Sequence, residues 1–165
     1  MNLPDHILQQ IGNILLERTE SIAIAESVTS GLLQQAFSCI PDASDCYKGG
    51  ITAYAKEEKI KLLQVDPEEA ERANCVSPLI AEQMAGHVSK LFGTSWGLAT
   101  TGYATAVSQS GFRLYAYYSI HYAGRTLATQ KIELPPVTPP EEAQLSYART
   151  ALTRLQELLH TLQSS

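Results

Sequence analysis

The sequence predicts a three-layer α/β/α sandwich built on a mixed sheet. Two observations carry this: segments with helical spacing of apolar residues alternate with short β-branched runs over the first two-thirds of the chain, and a β-hairpin pattern followed by one long helical pattern closes it. The length of 165 residues, 44% of them apolar, fits one domain that buries a core without disulfide or metal support. No linker, internal repeat or low-complexity tract interrupts it, so residues 1–165 read as a single domain.

Between Pro4 and Arg18, residues Ile7, Leu8, Ile11, Ile14 and Leu15 recur every three or four positions, which predicts a helix with one buried face. Ser21 to Ala25 (SIAIA) reads as a buried strand, and Leu32, Leu33, Ala36 and Phe37 as a helix following a small polar turn. After the Pro-Asp punctuation of IPDAS (40–44), the run Tyr47 to Tyr54 resumes strand character and ends near Tyr54. AKEEKIKLLQV from Ala55 predicts a charged helix, Asp66-Pro67 a short one through Arg72, and Ser77-Pro78 the start of a third. That third helix runs to about Phe92 with Ile80, Met84, Val88 and Leu91 inward. Trp96 to Thr101 reads as a central strand ending at Gly102. Leu114 to His121 and Thr126 to Leu134 flank Ala123-Gly124 as an antiparallel hairpin. Thr138, with Glu141 three residues on, predicts an N-cap for a last helix that turns Leu145, Ala148, Leu152, Leu155 and Leu158 inward.

Composition narrows the function. Seventeen acidic and 12 basic residues give a formal charge of −5, and no basic patch is visible, so nucleic acid is not an expected partner. The opening MNLPDHILQQ carries an early Asp5 and no basic region before an apolar core, and no apolar run reaches membrane-spanning length. Neither a secretory leader nor a membrane is expected. Three cysteines, Cys39, Cys46 and Cys75, without CxxC spacing suit a reducing compartment, hence the cytoplasm. His6, His87, His121 and His160 are scattered without ligand spacing, so neither a metal nor another cofactor is implied.

Two strands end in small polar residues: AESVTSG (25–31) before a helix, and Thr100-Thr101-Gly102. Such strand ends line ligand crevices in α/β folds, and free N–H groups at a helix start favour anions. On local sequence alone, Ser27 or Thr29 reads as a helix cap.

AESVTSG at 25–31, SDCYKGGITAYAKEEKIKLLQV at 44–65, and VSPLIAEQMA at 76–85 leading to GLATTG at 97–102 resemble, in order and spacing, the CinA C-terminal domain family. Members of that family include nicotinamide-nucleotide amidohydrolases, which convert nicotinamide mononucleotide to nicotinate mononucleotide and ammonia. The resemblance implies Ser44 as the nucleophile, Tyr54 as a proton relay and Lys59 as the base. It implies a nucleotide substrate and a homo-oligomer, and the two strand ends offer Glu26, Ser27, Thr29, Ser30, Gly31, Thr101 and Gly102 to bind that substrate. Lys48 or Arg113 would add charge for the phosphate. The residue types suit the chemistry, because a serine hydroxyl needs a base and a lysine amine serves as one only when burial or a neighbouring cation lowers its pKa. The chain departs from the hydrolytic pattern after Gly102. It reads YATAVSQSG where those members have alanine, glycine, proline and a glycine pair, so Tyr103 becomes a candidate to fill the pocket. Two readings therefore stand: an amidohydrolase, and a non-catalytic paralogue that binds a small molecule.

Overall fold

The computed structural model describes residues 3–163. Seven helices and five strands follow in order among them: α1 (Asp5–Arg18), β1 (Ile22–Glu26), α2 (Leu32–Ser38), α3 (Ala43–Cys46), β2 (Tyr47–Thr52), α4 (Lys56–Leu63), α5 (Pro67–Arg72), α6 (Pro78–Phe92), β3 (Trp96–Gly102), β4 (Leu114–Tyr122), β5 (Arg125–Leu134) and α7 (Pro140–Gln163). The sheet order is β2-β1-β3-β4-β5; β2, β1 and β3 are parallel, and β4 and β5 are antiparallel. The fold is thus a mixed-sheet α/β/α sandwich.

Side-chain size sorts the two layers. On β1 and β3, Ile22, Ile24, Trp96 and Leu98 turn toward α1, α2 and α7 and share a core with Ile11, Leu15, Phe37, Leu152 and Leu155. The alternate residues Ala23, Ala25 and Ala99 are small and meet Ile80, Met84, Ala85 and Val88 of α6. Gly97 on that face lets α6 approach closely, since a Cβ there would lie 2.1 Å from the Ala85 carbonyl oxygen.

Local chemistry sets the element ends. Asp66 accepts the Glu69 N–H at 3.0 Å and Ser77 the Ile80 N–H at 3.2 Å, capping α5 and α6. Ala123 and Gly124, with φ of 49° and 85°, make the two-residue hairpin turn. Thr138 does not cap α7, because its hydroxyl donates to the Pro135 carbonyl oxygen instead. Leu91 is 58% exposed, because the buried face of α6 advances through Ala85, Val88 and Ser89 to Phe92. On α7, Tyr147 and Leu159 take the buried positions, while Leu145 and Leu158 are half-buried at its flanks. Strand β2 stops at Thr52, two residues short of Tyr54, and Ser44 sits on the single turn α3 rather than in an irregular loop.

Candidate functional site

Chain direction locates the site. From β1 the chain moves outward to β2, then returns through α4, α5 and α6 to β3 on the other side of β1, so the carboxyl ends of β1 and β3 flank a topological switch point, where α/β folds open crevices. A cavity of about 210 Å³ opens there. Ser27 and Val28 after β1, Thr101, Gly102 and Tyr103 at the end of β3, Tyr54, Lys56 and Lys59 around the start of α4, and Asn74, Cys75 and Val76 between α5 and α6 line it.

Lys59 is the dominant charge. It is 3% exposed, although it belongs to the charged run KEEKIKLL, because Lys59 and Leu63 form the inward i,i+4 face of α4. Its ammonium donates to the Tyr54 carbonyl oxygen at 2.7 Å. Burial holds its pKa below the ordinary lysine value, with the charges of Cys75 and Glu57 opposing that shift. Lys56, at the rim, pairs with Glu71. Among the described residues no acidic side chain lines the cavity, and its two basic groups are the buried Lys59 and the ion-paired Lys56.

Ser27 is 6% exposed and lines the cavity between the two strand ends. Its N–H donates to the Thr100 carbonyl oxygen at 3.2 Å, fixing it between the two strand ends. Thr101 is committed elsewhere, its hydroxyl donating to the Cys75 carbonyl oxygen at 2.6 Å.

The anion position at the start of α2 is already filled. Glu26, fully buried, accepts the N–H groups of Leu33 at 3.0 Å and Gln34 at 2.7 Å and the Thr29 hydroxyl at 2.5 Å. Thr29 also bonds Thr100 at 2.7 Å. Ser30 is exposed, and Gly31 only starts the helix with φ of 99°. Glu26, Thr29, Ser30 and Gly31 therefore shape the turn and do not line the cavity, whereas Ser27, Thr101 and Gly102 do.

Of the three residues assigned chemistry by resemblance, Tyr54 and Lys59 share the cavity and Ser44 does not join them. Tyr54 is 72% exposed at the rim, and its carbonyl rather than its phenol meets Lys59. Ser44 is exposed at the opposite end of β2, roughly 16 Å or more away for six residues of strand. An intervening strand cannot bring residues at its two ends together.

Tyr103 does not fill the pocket. Its N–H donates to the Tyr115 carbonyl oxygen at 2.9 Å, its carbonyl accepts the Tyr147 hydroxyl at 2.9 Å, and its phenol accepts the Asn74 amide at 3.2 Å, so it is pinned as a wall. Asn74 and Cys75 were not singled out by sequence as site residues. Both have positive φ, 49° and 61°. The available signal was an asparagine in the short link before Ser77-Pro78, since asparagine tolerates the left-handed region.

A family model for the CinA C-terminal domain matches residues 5–159. A CinA-like protein from Synechocystis sp. is 46% identical over 100 residues, which are 61% of this chain and 24% of that protein. The matched segment thus spans about a quarter of the length of such curated relatives. Among crystal structures, the competence damage-inducible protein A from Klebsiella pneumoniae superposes with a TM-score of 0.88 at 23% identity, over 96% of this chain and 98% of that one. A competence or damage-inducible protein from Enterobacter asburiae gives 0.87 at 20% identity, over 96% and 99%. At these identities the two structures speak to fold alone, and they agree with the sandwich described above. The family model covers nearly all of the sequence, and the chain belongs to the CinA C-terminal domain family.

Proposed function

We propose that the cavity is a serine–lysine amidohydrolase site acting on the carboxamide of a pyridine mononucleotide. One observation carries the reading: a largely buried serine shares a small cavity with a lysine whose charged form is disfavoured by burial. Uncharged Lys59 takes the proton of Ser27 as the hydroxyl oxygen attacks the carboxamide carbon. The tetrahedral adduct collapses with cleavage of the C–N bond, and the Lys59 ammonium gives its proton to the departing ammonia. Water, deprotonated by Lys59, then attacks the ester, and the C–O bond to Ser27 breaks as the Lys59 ammonium returns its proton to the serine oxygen and the acid leaves as its carboxylate. Lys56 at the rim receives the substrate phosphate in exchange for Glu71, a role the α2 start cannot take because Glu26 occupies it.

The test is ammonia release from nicotinamide mononucleotide by the purified chain. Ser27→Ala and Lys59→Met each lower the rate by roughly 10³-fold, and Ser44→Ala changes it by less than about threefold. Loss in Ser44→Ala with full activity in Ser27→Ala reverses the assignment and requires the nucleophile to come from a second copy of the chain. A second reading rests on size: about 210 Å³ is below the roughly 300 Å³ at which drug-sized ligand sites begin. A binding module would retain the nucleotide in calorimetry and release no ammonia.

A further inference from the structure

Tyr103 forms one side of the cavity and is 9% exposed. Its backbone follows Gly102 at the end of β3, and its phenol oxygen accepts the Asn74 amide at 3.2 Å. The ring therefore runs from the sheet to the link between α5 and α6, and both of its ends lie at residues that line the cavity. Against it packs Tyr115, edge-on with ring centroids 5.3 Å apart, within a cluster that includes the buried Val28, Val76 and Tyr147.

Helix α7 ties this wall to the turn after β1. The Tyr147 hydroxyl donates to the Tyr103 carbonyl oxygen at 2.9 Å, and three residues earlier the Gln144 amide donates to the Val28 carbonyl oxygen at 2.9 Å. Val28 and Tyr103 both line the cavity, so one helix fixes the spacing between the two strand ends. The loop beyond Tyr103 is closed on itself, since the Ser110 hydroxyl accepts the Val107 N–H at 3.1 Å and donates to the Arg113 carbonyl oxygen at 2.6 Å. A side chain held at its N–H, its carbonyl and its phenol, inside a packed cluster, does not recede to make room.

We infer that Tyr103 is the specificity-determining residue of this site, a fixed wall that admits the single ring of a pyridine carboxamide and excludes fused bicyclic carboxamides. The inference rests on the carboxamide reading given above and adds which amides fit. About 210 Å³ does not enclose a mononucleotide, because drug-sized ligands take sites of roughly 300 Å³ or more, so one end of the substrate enters and the ribose phosphate stays at the mouth beside Lys56. The end that enters brings the carboxamide to Ser27 and Lys59, which sets the ring against the apolar part of the lining, Val28, Val76 and Tyr103. A second fused ring needs space that this wall yields only by breaking its packing and its hydrogen bonds.

The test compares nicotinamide mononucleotide with its benzo-fused analogue, quinoline-3-carboxamide mononucleotide, on the full chain. Selectivity is read as a ratio of kcat/KM from ammonia release where the amide is hydrolysed, and as a ratio of Kd from calorimetry where it is not. The unmodified chain is expected to favour the single ring by about tenfold or more. Tyr103→Ala, which opens the wall, is expected to bring the ratio within about threefold, while Tyr103→Phe, which removes only the contact with Asn74, keeps it. Tyr103→Leu retains apolar packing, is expected to give an intermediate ratio, and decides the matter where the alanine variant does not fold. Equal acceptance of both amides by the unmodified chain overturns the inference, and so does an unchanged ratio in whichever wall-opening variant folds. Loss of the ratio in Tyr103→Phe overturns it as well, because discrimination then belongs to the hydrogen bond and not to the wall. Selective binding without ammonia release overturns the hydrolase reading and leaves this inference standing, whereas a chain that binds neither nucleotide overturns both.

Discussion

Lys59 concentrates the chemistry of this protein in one side chain. A lysine pressed out of water by its own helix releases its proton more readily, and a base must be uncharged to act. For ammonia release this gives kcat/KM rising about tenfold per pH unit through the acid range and levelling below the ordinary lysine pKa of about 10.4. A profile still climbing past that value would remove Lys59 as the base. Glu26 shows the opposite use of burial: three hydrogen bonds hold its carboxylate at the start of α2. It is a structural anion in a place where a bound phosphate was expected.

At the level of elements, the site depends on how closely α6 lies against β1 and β3. Ala23, Ala25, Gly97 and Ala99 make that face flat, and the link through Asn74 and Cys75 reaches the strand ends because the helix behind it sits deep. Gly97→Ala places a methyl group 2.1 Å from the backbone oxygen of Ala85, which no rotamer relieves. Chemical denaturation of this variant is expected to show a loss of about 3 kcal/mol or more. A loss below about 1 kcal/mol would mean that α6 shifts freely and does not fix the link. β2 acts as a spacer, holding Ser44 at one end of the sheet and Tyr54 and Lys59 at the other.

For the whole molecule, the buried amine sets a pH dependence of stability. The folded pKa of Lys59 lies below the unfolded one, so between them the unfolded chain binds the extra proton and stability rises with pH. Below the folded pKa the penalty is complete, and above about 10.4 it vanishes. Lys59→Met is therefore expected to stabilise the protein by about 1–3 kcal/mol at pH 7, with the difference shrinking as pH rises toward that limit. Denaturation of both proteins across this range checks it, and groups common to the two, such as Cys75 and Tyr147, largely cancel in the comparison. A difference that is constant with pH would show that Lys59 is not desolvated in the fold. Among the described residues, no helix is long and apolar enough to cross a membrane.

The sequence by itself determined the sandwich, because periods of two and of three to four in apolar residues report which face each element buries. The cap residues Asp66 and Ser77 and the Ala123-Gly124 turn act over three or four positions, and these were legible for the same reason. Ser27, Thr101, Gly102, Tyr54 and Lys59 are likewise legible in the sequence as site residues, and all five line the cavity. Only the tertiary structure decided which of them meet. Spacing along the chain does not measure distance across a sheet, so Ser44 and Lys59, fifteen positions apart, lie at opposite ends of β2. Burial likewise depends on what packs against a helix, which is why Lys59 in a charged run is hidden while Leu91 in an apolar stripe is not. Cys75 enters the site through a left-handed turn whose energy is balanced by partners on β3 and α5, and no local pattern encodes partners that the chain meets only when folded.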